Sequence, residues 1–274
     1  VSKIFMKLIG RLFLIVFLFS IAAIIFGLGY IGYIPAIANF LGTNKPKDLG
    51  IRFTEKDRVE AHAKSGVQYG TLPASTSDEL SIQRFGKHDV DTSWTSAQAS
   101  ALMNNRPWKY WPYKDVQVKF NADGSAEVSG GLNKTVVPSY AATIGIPKVA
   151  IEFAMKLLPP TPVFYLKMKA SLKDNKVDVF EPQAFQLNRI PLPVDKFLAF
   201  NKPVFQLVKP VNAQLSIDMI GDLAKVKNKR DLIIGFINGR LSGYSGFFFA
   251  KEARIEENKL IYKGTLADQE AMVR

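Results

Sequence analysis

The chain contains no cysteine and only two histidines, His62 and His88, among its 274 residues. The absence of cysteine excludes disulfide bridges, thiol nucleophiles and cysteine-ligated metal sites. Two histidines are too few for a histidine-rich metal site, and we expect no metal or other cofactor. The metalloprotease, Walker and dinucleotide-binding motifs are missing as well. The composition therefore indicates no recognisable reaction chemistry, and we predict that the protein is not an enzyme.

Acidic residues are missing from the beginning of the chain, since all 24 follow residue 34, and the net charge is +12. Lys3, Lys7 and Arg11 precede that point, so the remainder keeps an excess of nine positive charges. A basic domain is attracted to anionic lipid head groups, anionic polymers or nucleic acid. The chain has no recognisable nucleic-acid-binding motif, and the predicted anchor and topology argue against such a partner, so we expect no nucleic-acid partner.

Charge is also absent from Leu12–Ile34, a run of 23 residues of which fifteen are Leu, Ile, Phe or Val. As a helix rising about 1.5 Å per residue, this run spans roughly 34 Å and is long enough to cross a bilayer. A cleavable signal peptide is the alternative, but its apolar region is usually only about 7–15 residues long. The length favours an uncleaved anchor, held by the apolar side chains Leu12, Phe13, Leu14, Ile15, Phe17, Phe19, Ile24 and Ile25.

The basic residues before this run predict a cytoplasmic N-terminus and an extracytoplasmic remainder, anchored in the cell membrane by a single span. We divide the chain into a cytoplasmic stub with the transmembrane helix (1–34), a linker (35–50) and an extracytoplasmic domain (51–274). The linker is assigned from its prolines and glycines.

Alternating apolar residues and turn signals predict that the outer domain is α+β. Hairpins are expected at 114–132, 163–187 and 253–266, and a short strand at 80–85. Each hairpin has one apolar face, which favours a curved antiparallel sheet packed on amphipathic helices. Thr54 with Asp57 and Thr95 with Gln98 are predicted to cap two helices. Further helices are expected at 148–158, 194–207 and 217–226.

The alternating apolar residues of the 163–187 hairpin are the candidate ligand-binding residues. Such a face either forms part of a filled core or lines a groove for an acyl chain. We assign to a groove the side chains Phe164, Leu166, Met168, Phe180, Phe185 and Leu187. A second pattern, Gly235, Gly239 and Gly243, is interpreted as strand bulges or a turn. The tryptophans and tyrosines between 94 and 113 are interpreted as ordinary packing around a proline turn.

Three segments follow the apolar run, and in their order along the chain they resemble a known family. They are Trp94–Asn104 (WTSAQASALMN), Asp115–Gly130 (DVQVKFNADGSAEVSG) and the late Ile190-Pro191-Leu192-Pro193. This order resembles bacterial single-pass envelope proteins of the YpmS-like kind, over about residues 90–200. Such proteins are compared with tubular lipid-binding and AsmA-like sheets. The resemblance implies a lipid-facing β groove in the outer domain and transfers no functional residue.

These patterns together predict a membrane-anchored, non-enzymatic protein that binds or shields a lipid or other apolar ligand at the cell envelope. The alternative is an envelope scaffold that binds a protein or an anionic wall polymer through a basic, aromatic face. The expected partners are thus the bilayer with an apolar ligand, or an envelope protein or polymer. A hydrolase is disfavoured because the sequence names no nucleophile and no acid–base pair.

Overall fold

The fold was analysed in a computed structural model of the chain, which describes residues 17–146, 148–194 and 229–274. These residues form an α+β structure in which an antiparallel sheet curves into a half-barrel against several helices. The α+β prediction is therefore confirmed. The helices predicted at 194–207 and 217–226 lie almost entirely outside the described residues, and so do Leu12, Phe13, Leu14 and Ile15.

The described helices and strands follow in chain order. The helices are α1 (Phe17–Tyr30), α2 (Pro35–Leu41), α3 (Glu55–Ser65), α4 (Ser96–Asn104), α5 (Val137–Thr143), α6 (Lys148–Lys156) and α7 (Lys229–Gly243), with a 3-10 turn at Asp78–Leu80. The strands are β1 (Gln68–Thr71), β2 (Ile82–Phe85), β3 (His88–Thr95), β4 (Tyr113–Phe120), β5 (Ser125–Leu132), β6 (Val163–Lys173), β7 (Lys176–Leu187), β8 (Ile190–Leu192), β9 (Phe249–Glu256), β10 (Lys259–Leu266) and β11 (Gln269–Met272).

The large sheet has the order β3-β10-β9-β6-β5-β4, and β7 and β8 extend it from β6. All its pairings are antiparallel. β6 pairs with β5 over Val163–Lys169, and Leu172 and Lys173 then pair with β9. Register shifts along β6–β7 mark bulges, which increase the local twist of a sheet. The three predicted hairpins are thereby confirmed.

A second, small sheet has the order β1-β11-β2 and ties the end of the chain to its first half. β1 pairs in parallel with β11, and β2 pairs with it in antiparallel fashion. The predicted strand at 80–85 is confirmed as β2, although its first residues belong to the 3-10 turn. Met272 and Val273 are buried, so this last strand is part of the core.

Helices α3 and α4 begin where the capping patterns place them. In each case the threonine side chain accepts a hydrogen bond from the third backbone N–H of the helix, and the side chain of that third residue accepts one from the threonine N–H. These reciprocal bonds satisfy donors that have no partner inside the helix. Gly66 ends α3 with a positive φ, as predicted for a C-terminal glycine.

Helix α4 covers the outer margin of the large sheet with a polar row. Ser96, Ser100 and Asn104 recur at a spacing of four and accept hydrogen bonds from the backbone N–H groups of Phe120, Val118 and Val116, respectively, at 2.8–3.0 Å. These N–H groups alternate along β4 and point away from β5. Side chains of a helix thus replace the missing neighbouring strand, an arrangement that the sequence analysis did not predict.

The segment after α2 crosses the face of the sheet that lies opposite the candidate groove. The backbone N–H groups of Leu49 and Ile51 both donate to the Gln117 side chain, at 2.9 and 3.2 Å. The Lys47 ammonium lies 3.9 Å from the centre of the Tyr165 ring. The part of the predicted linker nearest the outer domain is therefore bound to the sheet rather than free of it.

The glycine pattern and four of the predicted anchor residues both lie in helices. The residues Gly235 and Gly243 lie in α7, so the interpretation of the glycine pattern as strand bulges or a turn is wrong. The spacing of four places these glycines on one face of a helix. Phe17, Phe19, Ile24 and Ile25 lie in α1 with exposed side chains.

The expected single span over Leu12–Ile34 is not confirmed. No helix within the described ranges is by itself long and apolar enough to cross a membrane. Helices α1 and α2 meet that requirement only when they are taken together, and they are bent by 73° relative to each other. The bend lies at Gly32, which has a positive φ of 93°, and before Pro35, which begins α2.

Candidate functional site

The six predicted groove residues lie on one face of the β6–β7 hairpin. Phe164 pairs with Leu187, and Leu166 pairs with Phe185. Two positions on, Met168 pairs with Pro182 and Ala170 with Phe180. All six side chains are half-buried, so they are neither fully packed nor fully exposed. The structure therefore brings the predicted residues together, and it leaves this face partly open.

The apolar face continues onto β8 at its outer side. Leu192 pairs with Phe185, and Ile190 pairs with Leu187. Both β8 side chains are exposed, although they are large and apolar. The face thus becomes more exposed from β6 toward β8.

On its inner side the same face merges with a buried core. β5 contributes small residues there, and a Cβ at Gly130 would lie only 3.0 Å from the Phe164 ring. The Phe164 ring therefore packs against the backbone of β5 at Gly130. Beyond β5, Val116, Val118 and Phe120 are buried with partly buried residues of α4.

Helix α7 is attached to the far end of the hairpin by polar contacts. Asn238 accepts from the Val177 N–H at 2.8 Å, and Asn175 donates to the Leu241 carbonyl at 2.9 Å. A Cβ added at Gly235 or Gly243 would meet nothing within 4 Å. These two glycines therefore do not serve a close approach to another described segment.

An aromatic cluster extends from Phe164 to Trp108 and Trp111. The ring centres of Phe164 and Tyr113 are 5.9 Å apart, and Tyr113 and Tyr140 are separated by the same distance. Tyr140 then contacts Trp108 at 5.6 Å and Trp111 at 6.2 Å. Most of these pairs are edge-to-face, which is a favourable arrangement for aromatic quadrupoles. The burial of Trp94 and Trp108 agrees with the packing interpretation of the aromatic segment.

Burial in this cluster raises the pKa of the Tyr113 hydroxyl, and the neighbouring Tyr140 hydroxyl adds to the effect. Tyr113 is therefore a neutral phenol throughout the physiological pH range. A neutral hydroxyl costs far less to bury than a phenolate, so the cluster behaves as an apolar wall.

The cluster forms one wall of a cleft with a volume of about 770 Å³. The cleft opens between β2, the loop before β4, α5 and the turn after α7. Most of its lining is aromatic or aliphatic: Leu80, Ile82, Phe85, Trp108, Trp111, Tyr140, Ile144, Tyr244 and Phe247. Its polar lining consists of Gln83, Arg84, Arg106 and Thr143.

The two arginines of the cleft share one carboxylate. Arg84 Nε lies 2.9 Å from Glu270 Oε1, and Arg106 Nη2 lies 2.5 Å from both Glu270 oxygens. Only 7% of the Glu270 side chain is exposed, compared with 28% for Arg84 and 23% for Arg106. β2 and β11 bring Arg84 and Glu270 into register, because these residues are direct cross-strand partners.

A second group of polar contacts, centred on Asp78, holds the helices beside the cleft in place. Asp78 is bonded to Lys148 of α6 and accepts a 2.7 Å hydrogen bond from Ser139 of α5. The Lys148 contact is the main reason that the pKa of Asp78 falls to about 2, and Tyr110 and Ser139 lower it further. Asp78 is thus ionised at neutral pH and holds α5 and α6 to the turn that leads into β2.

The cleft was not predicted from the sequence. Arg84 and Glu270 are separated by most of the chain, and no local pattern predicts their contact. Within residues 17–146, 148–194 and 229–274, no group of three or more His, Asp or Glu side chains is placed to hold a metal. Comparison with known family models, curated proteins and solved structures found no match to this chain. The resemblance to YpmS-like proteins therefore remains a prediction.

Proposed function

We propose that the chain is a membrane-anchored extracytoplasmic protein that holds a lipid or another apolar ligand against the open face of its sheet, close to the bilayer. The observation that carries this proposal is the row of half-buried apolar pairs on β6 and β7, which ends in the exposed Ile190 and Leu192. Contact with an acyl chain would remove these side chains from water.

The energetics favour such a ligand even where the face covers it on one side. Transfer of a methylene group out of water contributes about 0.8 kcal/mol when burial is complete. A chain of ten half-buried methylenes would therefore gain roughly 4 kcal/mol, before the cost of ordering the chain is subtracted. Directional polar contacts are not needed for binding of this kind, which suits a surface without catalytic groups.

The N-terminal region supports the membrane part of the proposal. The side chains of α1 are largely exposed although they are apolar, and the uncharged run extends beyond the described residues to Leu12. Val149 and Phe153 on α6 are also exposed, by 78% and 67%. The carbonyl of Leu157, just after α6, is bonded to the Tyr33 hydroxyl. An apolar helix face next to the anchor is well suited to the head-group layer.

The proposal is tested by native mass spectrometry of the full chain extracted in a mild detergent. We expect bound lipid with the natural protein and loss of that lipid with Phe185→Asp, because a charge on the open face opposes an apolar ligand. Val179→Asp is the matched control, since Val179 lies on the same strand and pairs with Ser171 on the opposite face. Circular dichroism of both variants reports whether they remain folded.

Two results would contradict the proposal. The natural protein could carry no lipid, which would favour the scaffold alternative. Alternatively, Phe185→Asp could unfold the domain while Val179→Asp does not, in which case the face is filled core rather than a groove.

A further inference from the structure

The charged side chains at the cleft carry more positive than negative charge. Arg84 and Arg106 bring two guanidinium groups, and among the residues that the structure describes only Glu270 forms ion pairs with them. All three side chains are largely removed from water, so the surplus positive charge is poorly solvated. An unbalanced charge in such a place is costly unless a further anion neutralises it.

The guanidinium groups also have unused hydrogen-bond donors. Arg84 contacts Glu270 through Nε, and its two terminal nitrogens have no acceptor among the described residues. Arg106 contacts Glu270 through Nη2, whereas its buried Nε has no partner in the same part of the chain. Arg84 lines the cleft, so its free donors are placed where a ligand would enter.

Aromatic rings hold both guanidinium planes in position. Arg84 lies 5.3 Å from the centre of the Phe247 ring and 5.8 Å from that of Tyr244. Arg106 lies 5.1 Å from the centre of the Trp111 ring. Arginines held beside aromatic rings are well suited to two-point recognition of carboxylate or phosphate, because little side-chain freedom is lost on binding.

We propose that this cleft is a second binding site, specific for an amphiphile that carries one anionic head group, a carboxylate or a phosphate. The head group would pair with Arg84 beside Glu270, and the apolar part would lie against the aromatic wall. The volume of about 770 Å³ falls within the range of roughly 300–1,000 Å³ that is typical of small-molecule sites. This site does not depend on the open sheet face.

The test uses the full chain in nanodiscs of neutral phosphatidylcholine. Bromine-labelled decanoate is added, and tryptophan fluorescence is recorded, because two of the three tryptophans, Trp108 and Trp111, line the cleft. We expect saturable quenching by the decanoate and by the matching alkyl phosphate. The methyl ester of the decanoate has the same tail without the charge, and we expect it to bind at least tenfold more weakly.

Arg84→Gln removes the charge and leaves a shorter, neutral polar side chain. We expect it to weaken decanoate binding by about tenfold or more, since it removes a charge-assisted hydrogen bond to the head group. Arg254→Gln is the control, because Arg254 is also paired with carboxylates but lies on β9 away from the cleft lining.

A further experiment distinguishes a membrane lipid from a soluble amphiphile as the source of the head group. Displacement of the decanoate by phosphatidylglycerol in the nanodisc would assign the site to a membrane lipid, and retention would assign it to a soluble amphiphile. The inference is overturned if no quenching saturates, if the methyl ester binds as well as the acid, or if a folded Arg84→Gln binds as the natural protein does. If that variant does not fold, the comparison of acid and ester in the natural protein decides.

Discussion

Single polar side chains complete the hydrogen bonding of the sheet margin. Ser100 is fully buried, and its hydroxyl accepts from the Val118 N–H at 2.8 Å while it donates to the Ser96 carbonyl. Removal of the hydroxyl leaves a buried backbone donor without a partner. We expect Ser100→Ala to lower the free energy of unfolding by about 1–3 kcal/mol.

Urea unfolding followed by circular dichroism measures this effect. Ser75→Ala is the control, because Ser75 is exposed in the loop after β1, and such a change usually alters stability by less than about 0.5 kcal/mol. Equal stability of the two variants would show that the Ser100 hydroxyl is dispensable to β4.

At the residue scale, the sequence predicts what depends on near neighbours. Thr95 and Gln98 are three positions apart, so their capping bonds follow from local geometry. The row of Ser96, Ser100 and Asn104 also has a local signal, a spacing of four on one helix face, but its partner strand begins only at Tyr113. The pairing of Arg106 with Glu270 has no local signal, because the two residues are 164 positions apart.

At the scale of secondary-structure elements, the residues of a hairpin turn can connect several elements. Asn175, in the turn between β6 and β7, has a positive φ of 58° and a buried side chain. Its amide oxygen accepts from the Ala250 N–H at 3.1 Å, and its amide nitrogen donates to the Leu241 carbonyl. One residue thus joins the hairpin to β9 and to α7.

We expect Asn175→Gly to lower the free energy of unfolding by about 1–3 kcal/mol, because glycine keeps the backbone conformation but leaves the Ala250 N–H unsatisfied. Asn258→Gly is the matched control, since Asn258 has nearly the same φ of 59° in the β9–β10 turn and an exposed side chain. Thermal unfolding compares the two. A similar loss in both variants would mean that the backbone, and not the amide bonds, determines the effect.

Helices and strands were predictable where their pattern of apolar residues and turn signals was continuous in the sequence. The β4–β5 and β6–β7 hairpins alternate clearly around strong turn signals, and both were predicted. β1 and β11 are four residues each and were missed, because their pairing joins the two ends of the domain. Helix α7 was missed since its glycines and phenylalanines suggested a strand, whereas its contacts with β7 stabilise the helical form.

At the scale of the whole molecule, the proposed anchor determines where the protein resides. We expect the natural chain to stay with membranes after alkaline carbonate washing, and its C-terminal part to be cleaved by protease added to intact cells. Ile21→Arg combined with Ile25→Arg opposes insertion by roughly 2.5–3.5 kcal/mol for each arginine. This double variant should shift the chain toward the washed-off fraction.

The control is Val59→Arg, which places the same charge on α3, at an exposed position outside the apolar run. Recovery of the natural chain in the washed-off fraction, or protection of its C-terminal part in intact cells, would contradict the anchored topology. The basic residues before the apolar run are the basis of this predicted topology. The bend between α1 and α2 was not predicted, although Gly32 and Pro35 are visible in the sequence.

The row of polar side chains that α4 presents to β4 has a consequence for the association of one copy of the chain with another. A margin whose outward N–H groups are already bonded cannot recruit a strand from a second molecule. The margin beyond β7 ends in β8, which is three residues long and contains Pro191, a residue without a backbone N–H. Neighbouring copies of the chain therefore gain little from exchanging strands at these margins, and the domain is protected there against edge-to-edge aggregation.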